Sequence, residues 1–178
     1  MAGDERIRLF CALQLPDAAR DELAAWGASH LHGGRLVRPD DLHVTLAFLG
    51  SRPAAEVPAI ARELRAASRR AARIELRPRR YRETRSVGMI LLDDVDGAAA
   101  ALAGDLQGRL ERLGAYRREA RPWLPHVTVL RFRERVGLRP EVANMRSIHV
   151  VRSALYRSSL APGGARYDPL ETEALGGT

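Results

Sequence analysis

The feature that most constrains the fold of this chain is a strand-like motif that occurs twice. Residues 41–50, DLHVTLAFLG, and residues 124–132, LPHVTVLRF, both carry His-Val-Thr followed by an aliphatic residue. The two histidines, His43 and His126, are 83 residues apart, which is nearly half of the 178-residue chain. This spacing predicts two related lobes, each of which contributes one such strand to a shared cleft.

The pattern inside each motif places its polar residues together. Side chains two residues apart in a β-strand point to the same face of the sheet. His43 and Thr45 should therefore project together, as should His126 and Thr128, while the aliphatic residues pack behind them. A single histidine or threonine in a strand is usually a satisfied structural residue. Two copies in the same register instead favour a site in which two imidazoles bracket one ligand.

The remaining sequence predicts strands and helices that intervene between them, within one domain over residues 1–178. Because the strands pair locally, we expect an α+β fold rather than a Rossmann-type sheet. The chief predicted elements are a strand over residues 6–15, a helix capped by Asp17, a helix opened by Pro53, an antiparallel pair at residues 73–81 and 86–92, and a helix from near Asp96 to Gly114.

The charge of the chain is +7, and all 29 of its basic residues are arginine. The planar guanidinium group suits phosphate oxygens, so this composition fits a polyanionic partner. Arginines are dense in residues 69–85, where Arg73, Arg77 and Arg79 could line one strand face and contact an RNA backbone. A merely solvated strand face explains the same pattern equally well.

Several other features bear on location and cofactors. No run approaches the roughly 18 apolar residues that a membrane span needs, and we expect a cytoplasmic monomer without a membrane partner. The single cysteine, Cys11, alternates with apolar residues and should be a buried, unreactive thiol. The segments HLH at 30–32 and DDVDG at 93–97 lack metal-site spacing, so we expect a turn and a helix cap there and no cofactor or metal.

The paired motifs match the needs of phosphodiester cleavage. Two imidazoles can remove a proton at one side of a reaction and deliver one at the other. Thr45 and Thr128 could donate hydrogen bonds to the non-bridging phosphoryl oxygens, where negative charge sits in the transition state. Arg131, directly after the second motif, could add a charge-assisted contact.

Four stretches of the chain, two of which contain the His-x-Thr-x motifs, together resemble a known superfamily. They are the opening RLFCALQLPDAAR, the approach LVRPDDLHVTLAFLG, the segment PWLPHVTVLRF and the ending LYRSSLAPGGARYDPL. In this order they resemble the 2H phosphoesterase superfamily, and within it the RNA 2′,3′-cyclic phosphodiesterases, historically called 2′-5′ RNA ligases. The resemblance implies a bilobal fold in which two antiparallel sheets with pseudo-twofold symmetry line a central cleft and the helices lie outside.

The same resemblance implies an activity and a set of roles. The reaction is metal-independent hydrolysis of RNA 2′,3′-cyclic phosphate ends, tRNA fragments among them, to 2′-phosphomonoesters, with 2′-5′ ligation as its reverse. His43 would be the proton donor to the departing O3′ and His126 the proton acceptor from water, while Thr45 and Thr128 hold the phosphate. The alternative is a non-catalytic RNA-binding or tRNA-processing accessory protein that uses the same basic cleft.

Two phenylalanines are candidates for stacking on an RNA base. Phe10 lies in the first predicted strand, and Phe48 follows the first His-x-Thr motif. Strict alternation places Phe48 on the same side as Val44 and Leu46. We therefore predict that Phe48 packs in the core.

Overall fold

The computed structural model describes residues 5–176, and its strands form two antiparallel sheets, as expected for an α+β fold. The strands are β1 (Arg6–Gln14), β2 (Arg35–Leu36), β3 (His43–Pro53), β4 (Ile74–Glu83), β5 (Val87–Asp94), β6 (His126–Arg131), β7 (Ile148–Val150), β8 (Arg152–Ala161) and β9 (Gly164–Ala174). The helices are α1 (Asp17–His30), α2 (Val57–Arg70) and α3 (Ala98–Arg112). The sheets have the orders β3-β1-β8-β9 and β2-β6-β5-β4-β7.

The two sheets are built from a repeated unit. In the first sheet β1 leads through α1 to its antiparallel neighbour β3, and in the second β5 leads through α3 to its neighbour β6. Each unit ends in a His-x-Thr strand, and each is extended on the far side by a third strand, β8 or β4. This arrangement confirms the predicted pseudo-twofold relation between the halves of the chain.

The hydrophobic core takes in residues from both sheets and from all three helices. Helix α2 contributes a buried face that includes Ile60 and Leu64, and α3 contributes Leu106 and Leu110. Leucines spaced four residues apart share one side of a helix, which is why the sequence pattern predicted these faces. Cys11 is also buried there, and burial raises the pKa of its thiol to about 12, as expected for an unreactive cysteine.

Two predicted helix starts were wrong. Asp17 is the first residue of α1 rather than its cap, and its carboxylate forms an ion pair with Arg20 one turn later. Pro53 ends β3, and a single 3-10 turn separates it from α2. The proline in the first turn of α2 is Pro58, where its missing N–H costs nothing because no acceptor exists for it.

The start of α3 follows the sequence more closely. Asp94 accepts hydrogen bonds from the backbone N–H groups of Ala99 (3.2 Å) and Ala100 (2.8 Å). The predicted helix-cap role of the DDVDG segment is therefore confirmed.

Within residues 5–176, no helix combines the length and apolar character that a bilayer crossing requires.

Both His-x-Thr strands contain a β-bulge at the same position. The extra residue is Leu46 in β3 and Val129 in β6, and neither has a partner in the neighbouring strand. A bulge leaves backbone groups of the extra residue outside the ladder. The Leu46 carbonyl accepts a hydrogen bond from the buried side-chain amide of Gln107 (2.8 Å), and the Val129 carbonyl accepts one from the backbone N–H of Val37 (3.0 Å).

The bulges reverse the alternation beyond each motif. Phe48 pairs with Phe10 and lies on the same face as His43, with 48% of its surface exposed. The prediction that Phe48 packs in the core was wrong because strict alternation takes no account of the extra residue. In β6 the same shift places Arg131 on the face that carries His126.

Candidate active site

The cleft between the sheets brings the two His-x-Thr motifs together. His43 and Thr45 lie on one face of β3, and His126 and Thr128 lie on the matching face of β6. Strands β3 and β6 contact each other although they belong to different sheets. The indole N–H of Trp123, just before β6, donates a hydrogen bond to the Thr45 carbonyl (3.0 Å) and ties the two motif strands together.

The two histidines are anchored in the same way. The Nδ1 atom of His43 lies 2.7 Å from the Asp41 carbonyl oxygen, and that of His126 lies 2.8 Å from the Leu124 carbonyl oxygen. A carbonyl oxygen only accepts, so each Nδ1 carries a hydrogen and donates it. Each Nε2 atom is therefore left for a ligand or for a neighbouring hydroxyl.

The first motif also has an internal hydrogen bond. The Nε2 atom of His43 lies 3.1 Å from the Thr45 hydroxyl oxygen. Because Nδ1 of the neutral ring already carries the hydrogen, the hydroxyl donates and Nε2 accepts. The anchoring turn is itself held in place, since the buried carboxylate of Asp41 accepts a bond from Nε of Arg38 (2.9 Å).

An aromatic cluster surrounds the His43 imidazole. The ring of Phe10 is centred 4.9 Å from it, Tyr156 lies 6.3 Å away, and Tyr167 meets it edge-on at 5.3 Å. Sequence reasoning gave Tyr156 and Tyr167 no role. The sequence did carry one signal, because alternation in the predicted hairpin near the end of the chain puts aromatic residues on one face. That this face lies beside His43 depends on the pairing of β8 with β1, which only the tertiary structure shows.

Burial in this cluster lowers the pKa of His43 to about 4. The positive charge of Arg131 lowers it further, and the hydrogen bond to the Asp41 carbonyl works in the opposite direction. The imidazole of His43 is thus neutral at neutral pH in the ligand-free protein. Arg131 belongs to β6 and His43 to β3, which lie in different sheets, so this charge acts across the cleft.

Arg131 reaches from the five-stranded sheet to the four-stranded sheet. Its Nη2 atom donates to the hydroxyl oxygen of Tyr167 (3.3 Å), the same tyrosine that packs against His43. A second bridge lies beside it, where Nη1 of Arg35 donates to the Gly163 carbonyl (2.6 Å). Gly163 has a φ of 90°, which favours glycine, and it forms the predicted turn between β8 and β9.

Residues 5–176 contain no group of three or more His, Cys, Asp or Glu side chains arranged to hold a metal ion. In the HLH segment, the ring of His30 stacks on Trp26 and its Nδ1 atom lies 2.9 Å from the Trp26 carbonyl oxygen. This histidine therefore interacts with its own helix.

Comparison with known proteins places the chain in a family. The LigT like Phosphoesterase family matches residues 13–82, which include the first motif. The RNA 2′,3′-cyclic phosphodiesterase of Escherichia coli (strain K12) is 35% identical over 174 residues, covering 94% of this chain and 96% of the relative. The chain belongs to the LigT-like phosphoesterase family. This LigT-like phosphoesterase carries its second motif outside the family match but within the nearly full-length similarity.

Two further relatives support the placement. The RNA 2′,3′-cyclic phosphodiesterase of Thermus thermophilus is 32% identical over 185 residues, covering 96% of this chain and 91% of the relative. The crystal structure of E. coli LigT with 3′-AMP superposes on this LigT-like phosphoesterase with a TM-score of 0.82 at 31% identity. That superposition covers 96% of this chain and 99% of the other.

Proposed function

We propose that this LigT-like phosphoesterase hydrolyses RNA 2′,3′-cyclic phosphate ends to 2′-phosphomonoesters by two-histidine acid–base catalysis without a metal ion. The observation that carries the proposal is the matched anchoring of His43 and His126. Each ring donates Nδ1–H to a carbonyl two residues earlier, which leaves both Nε2 atoms on the cleft face. Two imidazoles held this way suit a reaction that moves one proton in and one proton out.

In the proposed reaction a water molecule attacks the phosphorus atom. His126 Nε2 takes a proton from that water as the new P–O bond forms. The P–O3′ bond breaks, and His43 Nε2 gives its proton to the departing O3′. The products are a 2′-phosphomonoester and a free 3′-hydroxyl, and each proton transfer contributes roughly 10² to 10⁴ to the rate.

The phosphate itself would be held by side chains from both strands. The hydroxyls of Thr45 and Thr128 would donate to the non-bridging oxygens, and Arg131 would add a charge-assisted contact. For Thr45 this requires that its hydroxyl turn from His43 Nε2 to the phosphate, which frees Nε2 for the proton that it must carry.

The low pKa of His43 sets a condition on its role as an acid. With a pKa of about 4 in the ligand-free protein, its ring is neutral when the substrate arrives. The negative charge of the bound phosphate offsets the positive charge of Arg131 and raises this pKa. Substrate binding therefore favours the uptake of the proton that His43 later delivers.

The names of the relatives support the substrate class. Both the E. coli and the T. thermophilus proteins are RNA 2′,3′-cyclic phosphodiesterases, and E. coli LigT accommodates 3′-AMP. We extend the proposal to cytoplasmic RNA processing, with tRNA fragments among the substrates, and to the reverse reaction that joins RNA through a 2′-5′ linkage.

The test is hydrolysis of a short RNA with a 2′,3′-cyclic phosphate end, in the presence of EDTA. The wild type should release the 2′-phosphate, and His43→Ala and His126→Ala should each lower kcat by about 10² to 10⁴. His149→Ala, which removes an exposed histidine of β7, serves as the matched control and should keep full activity. Loss of activity on chelation would rule out the metal-free mechanism, and RNA binding without turnover would favour the accessory protein.

A second experiment separates the acid from the base. A p-nitrophenyl phosphodiester has a leaving group that needs little protonation, so the variant that lacks the acid should lose much less activity on it than on RNA. The proposal assigns this smaller loss to His43→Ala. If His126→Ala behaves this way instead, the two roles are exchanged.

A further inference from the structure

A row of cleft-facing residues runs across the five-stranded sheet from the second motif to β4, which forms the edge of the sheet beyond the short stretch where it pairs with β7. Residues that pair across antiparallel strands share a face, and the row through His126 continues through Leu91 to Arg80 of β4. The next row begins at Thr128 and ends at Arg82. Two strand spacings separate the ends of each row, so the backbones of His126 and Arg80 lie about 10 Å apart.

The arginines of β4 divide into two groups. Arg77 and Arg79 each form an ion pair with a carboxylate of the same sheet, at 3.1 and 3.4 Å. Arg80 and Arg82 are exposed, and neither has a carboxylate oxygen within 4.0 Å among residues 5–176. A bulge at Arg79 brings Arg80 onto the face of His126. Two members of the predicted row of Arg73, Arg77 and Arg79 are therefore engaged by carboxylates, and the third, Arg73, lies before β4 begins. Within β4, the arginines free to bind an anion are Arg80 and Arg82.

A groove of about 1050 Å³ lies along the same edge of the sheet. Arg80 and Arg82 line it together with residues 135–143. That segment adds two more arginines, Arg139 and Arg135, and Arg135 forms an ion pair with buried Glu83. The wall is held in place because Glu83 accepts hydrogen bonds from two backbone N–H groups of that segment, at 2.7 and 3.0 Å. An open, basic groove of this kind suits the backbone of a flexible polyanion.

We infer that Arg80 and Arg82 bind the phosphodiester backbone of the RNA strand that leads into the cleft, upstream of the cyclic phosphate. The inference rests on the proposed function for the identity of the ligand. The one aromatic residue between the two arginines, Tyr81, turns away from them and donates its hydroxyl to Glu83 (3.1 Å). Contact along this path is therefore made through charge and carries no base preference.

The inference predicts a difference between long and short substrates. A cyclic mononucleotide has no upstream phosphate, whereas an oligonucleotide with the same end has several. The variant Arg80→Glu/Arg82→Glu should lower kcat/KM for the oligonucleotide by about tenfold or more at low salt, and the loss should be confined to the oligonucleotide.

The matched control changes the net charge equally at a distant place. Arg69 and Arg70 are exposed at the end of α2, and Arg69→Glu/Arg70→Glu should leave both substrates nearly unaffected. An equal loss in this control would overturn the inference, because it would trace the effect to net charge. A similar loss on the cyclic mononucleotide in the Arg80/Arg82 variant would also overturn it.

A binding measurement keeps the inference separate from the proposed function. Fluorescence anisotropy measures the Kd for an RNA that ends in an uncleavable 3′-phosphate. Each phosphate contact on a single strand contributes about 0.7 to the slope of log Kd against log salt concentration. The slope for Arg80→Ala/Arg82→Ala should therefore be smaller than that of the wild type by about 1.4. If the wild type binds this RNA through both arginines but does not cleave cyclic phosphate, the proposed function fails and the binding path stands.

The two halves of the fold allow one further comparison. On the four-stranded sheet, His43 pairs with Gln14 of β1, and Gln14 pairs with Arg152 of β8. Arg152 therefore occupies the position on this sheet that Arg80 occupies on the five-stranded sheet. If Arg152→Glu abolishes the oligonucleotide advantage while Arg80→Glu/Arg82→Glu retains it, the strand crosses the four-stranded sheet and the inference is wrong.

Discussion

Phe48 and Arg131 occupy the same position in two different strands, each five residues after its histidine and just beyond a β-bulge. The bulges turn both side chains toward the cleft, so the two halves of the fold present an aromatic ring at one place and a cation at the other. The guanidinium of Arg8 lies 5.1 Å from the centre of the Phe48 ring, and that of Arg131 bonds to Tyr167 beside His43. The same backbone feature, a β-bulge, thus positions two side chains of different chemistry.

The exposure of Phe48 predicts a small effect on stability. Phe48→Ala should lower the free energy of unfolding by less than about 1 kcal/mol, because nearly half of the side chain is already in solvent. Phe10→Ala, at a partner position that is 3% exposed, should cost about 3 to 5 kcal/mol. Urea denaturation measures both values. Equal losses would contradict the bulged register of β3.

The hydrogen bond from Gln107 to the bulge can be tested in the same way. Gln107→Met keeps the size of the side chain but leaves the Leu46 carbonyl buried without its donor, and should cost about 1 to 3 kcal/mol. Arg112→Met, at an exposed position of the same helix, should change stability by less than about 0.5 kcal/mol. Urea denaturation of the two variants decides the point, and a Gln107→Met protein as stable as the control would refute a role for this bond.

The charge of Arg131 should be visible in the titration of His43. Arg131→Met removes a positive charge that lowers the pKa of this imidazole, so the pKa should rise from about 4. NMR titration of the ring carbon and proton signals measures the shift. Arg133→Met, an exposed arginine two residues further along, is the control. A His43 titration that moves equally in both variants would mean that net charge, rather than the position of Arg131, is responsible.

The lowered pKa of His43 also predicts an acid-sensitive stability. Between the unfolded value of about 6.5 and the folded value of about 4, the unfolded chain binds a proton that the folded protein does not. Stability is therefore fully present above about pH 6.5 and falls as the pH drops toward 4. His43→Asn should reduce the loss between pH 7 and pH 5 in urea denaturation. An unchanged pH dependence in that variant would contradict the assignment.

The local sequence determined much of the fold because its signals are periodic. Leucines repeated along α2 and α3 mark one face of each helix, and the alternation of β1 marks the side that carries Cys11. The repeat of His-x-Thr predicted two equivalent strands on one cleft, and the sheets place both motifs as expected. Each of these patterns is formed by residues within a few positions of one another, so the sequence alone is enough to predict it.

The bulges could not be found in this way. Leu46 and Val129 look like ordinary strand residues, and the groups that bond their carbonyls, Gln107 and Val37, are distant along the chain. The same is true of Arg80, whose neighbours in its row come from two other strands. Register depends on which strands meet, and that is a property of the whole sheet.

The sequence by itself therefore determined where the main helices and strands lie and which two histidines belong to the repeated motif, because short stretches of chain contain these patterns. Only the tertiary structure decided what surrounds those histidines. It packed the half-buried His43 among Phe10, Tyr156 and Tyr167, brought Arg131 across the cleft and left Phe48 exposed. The physical reason is that the pKa of a side chain depends on the neighbours that distant segments bring to it.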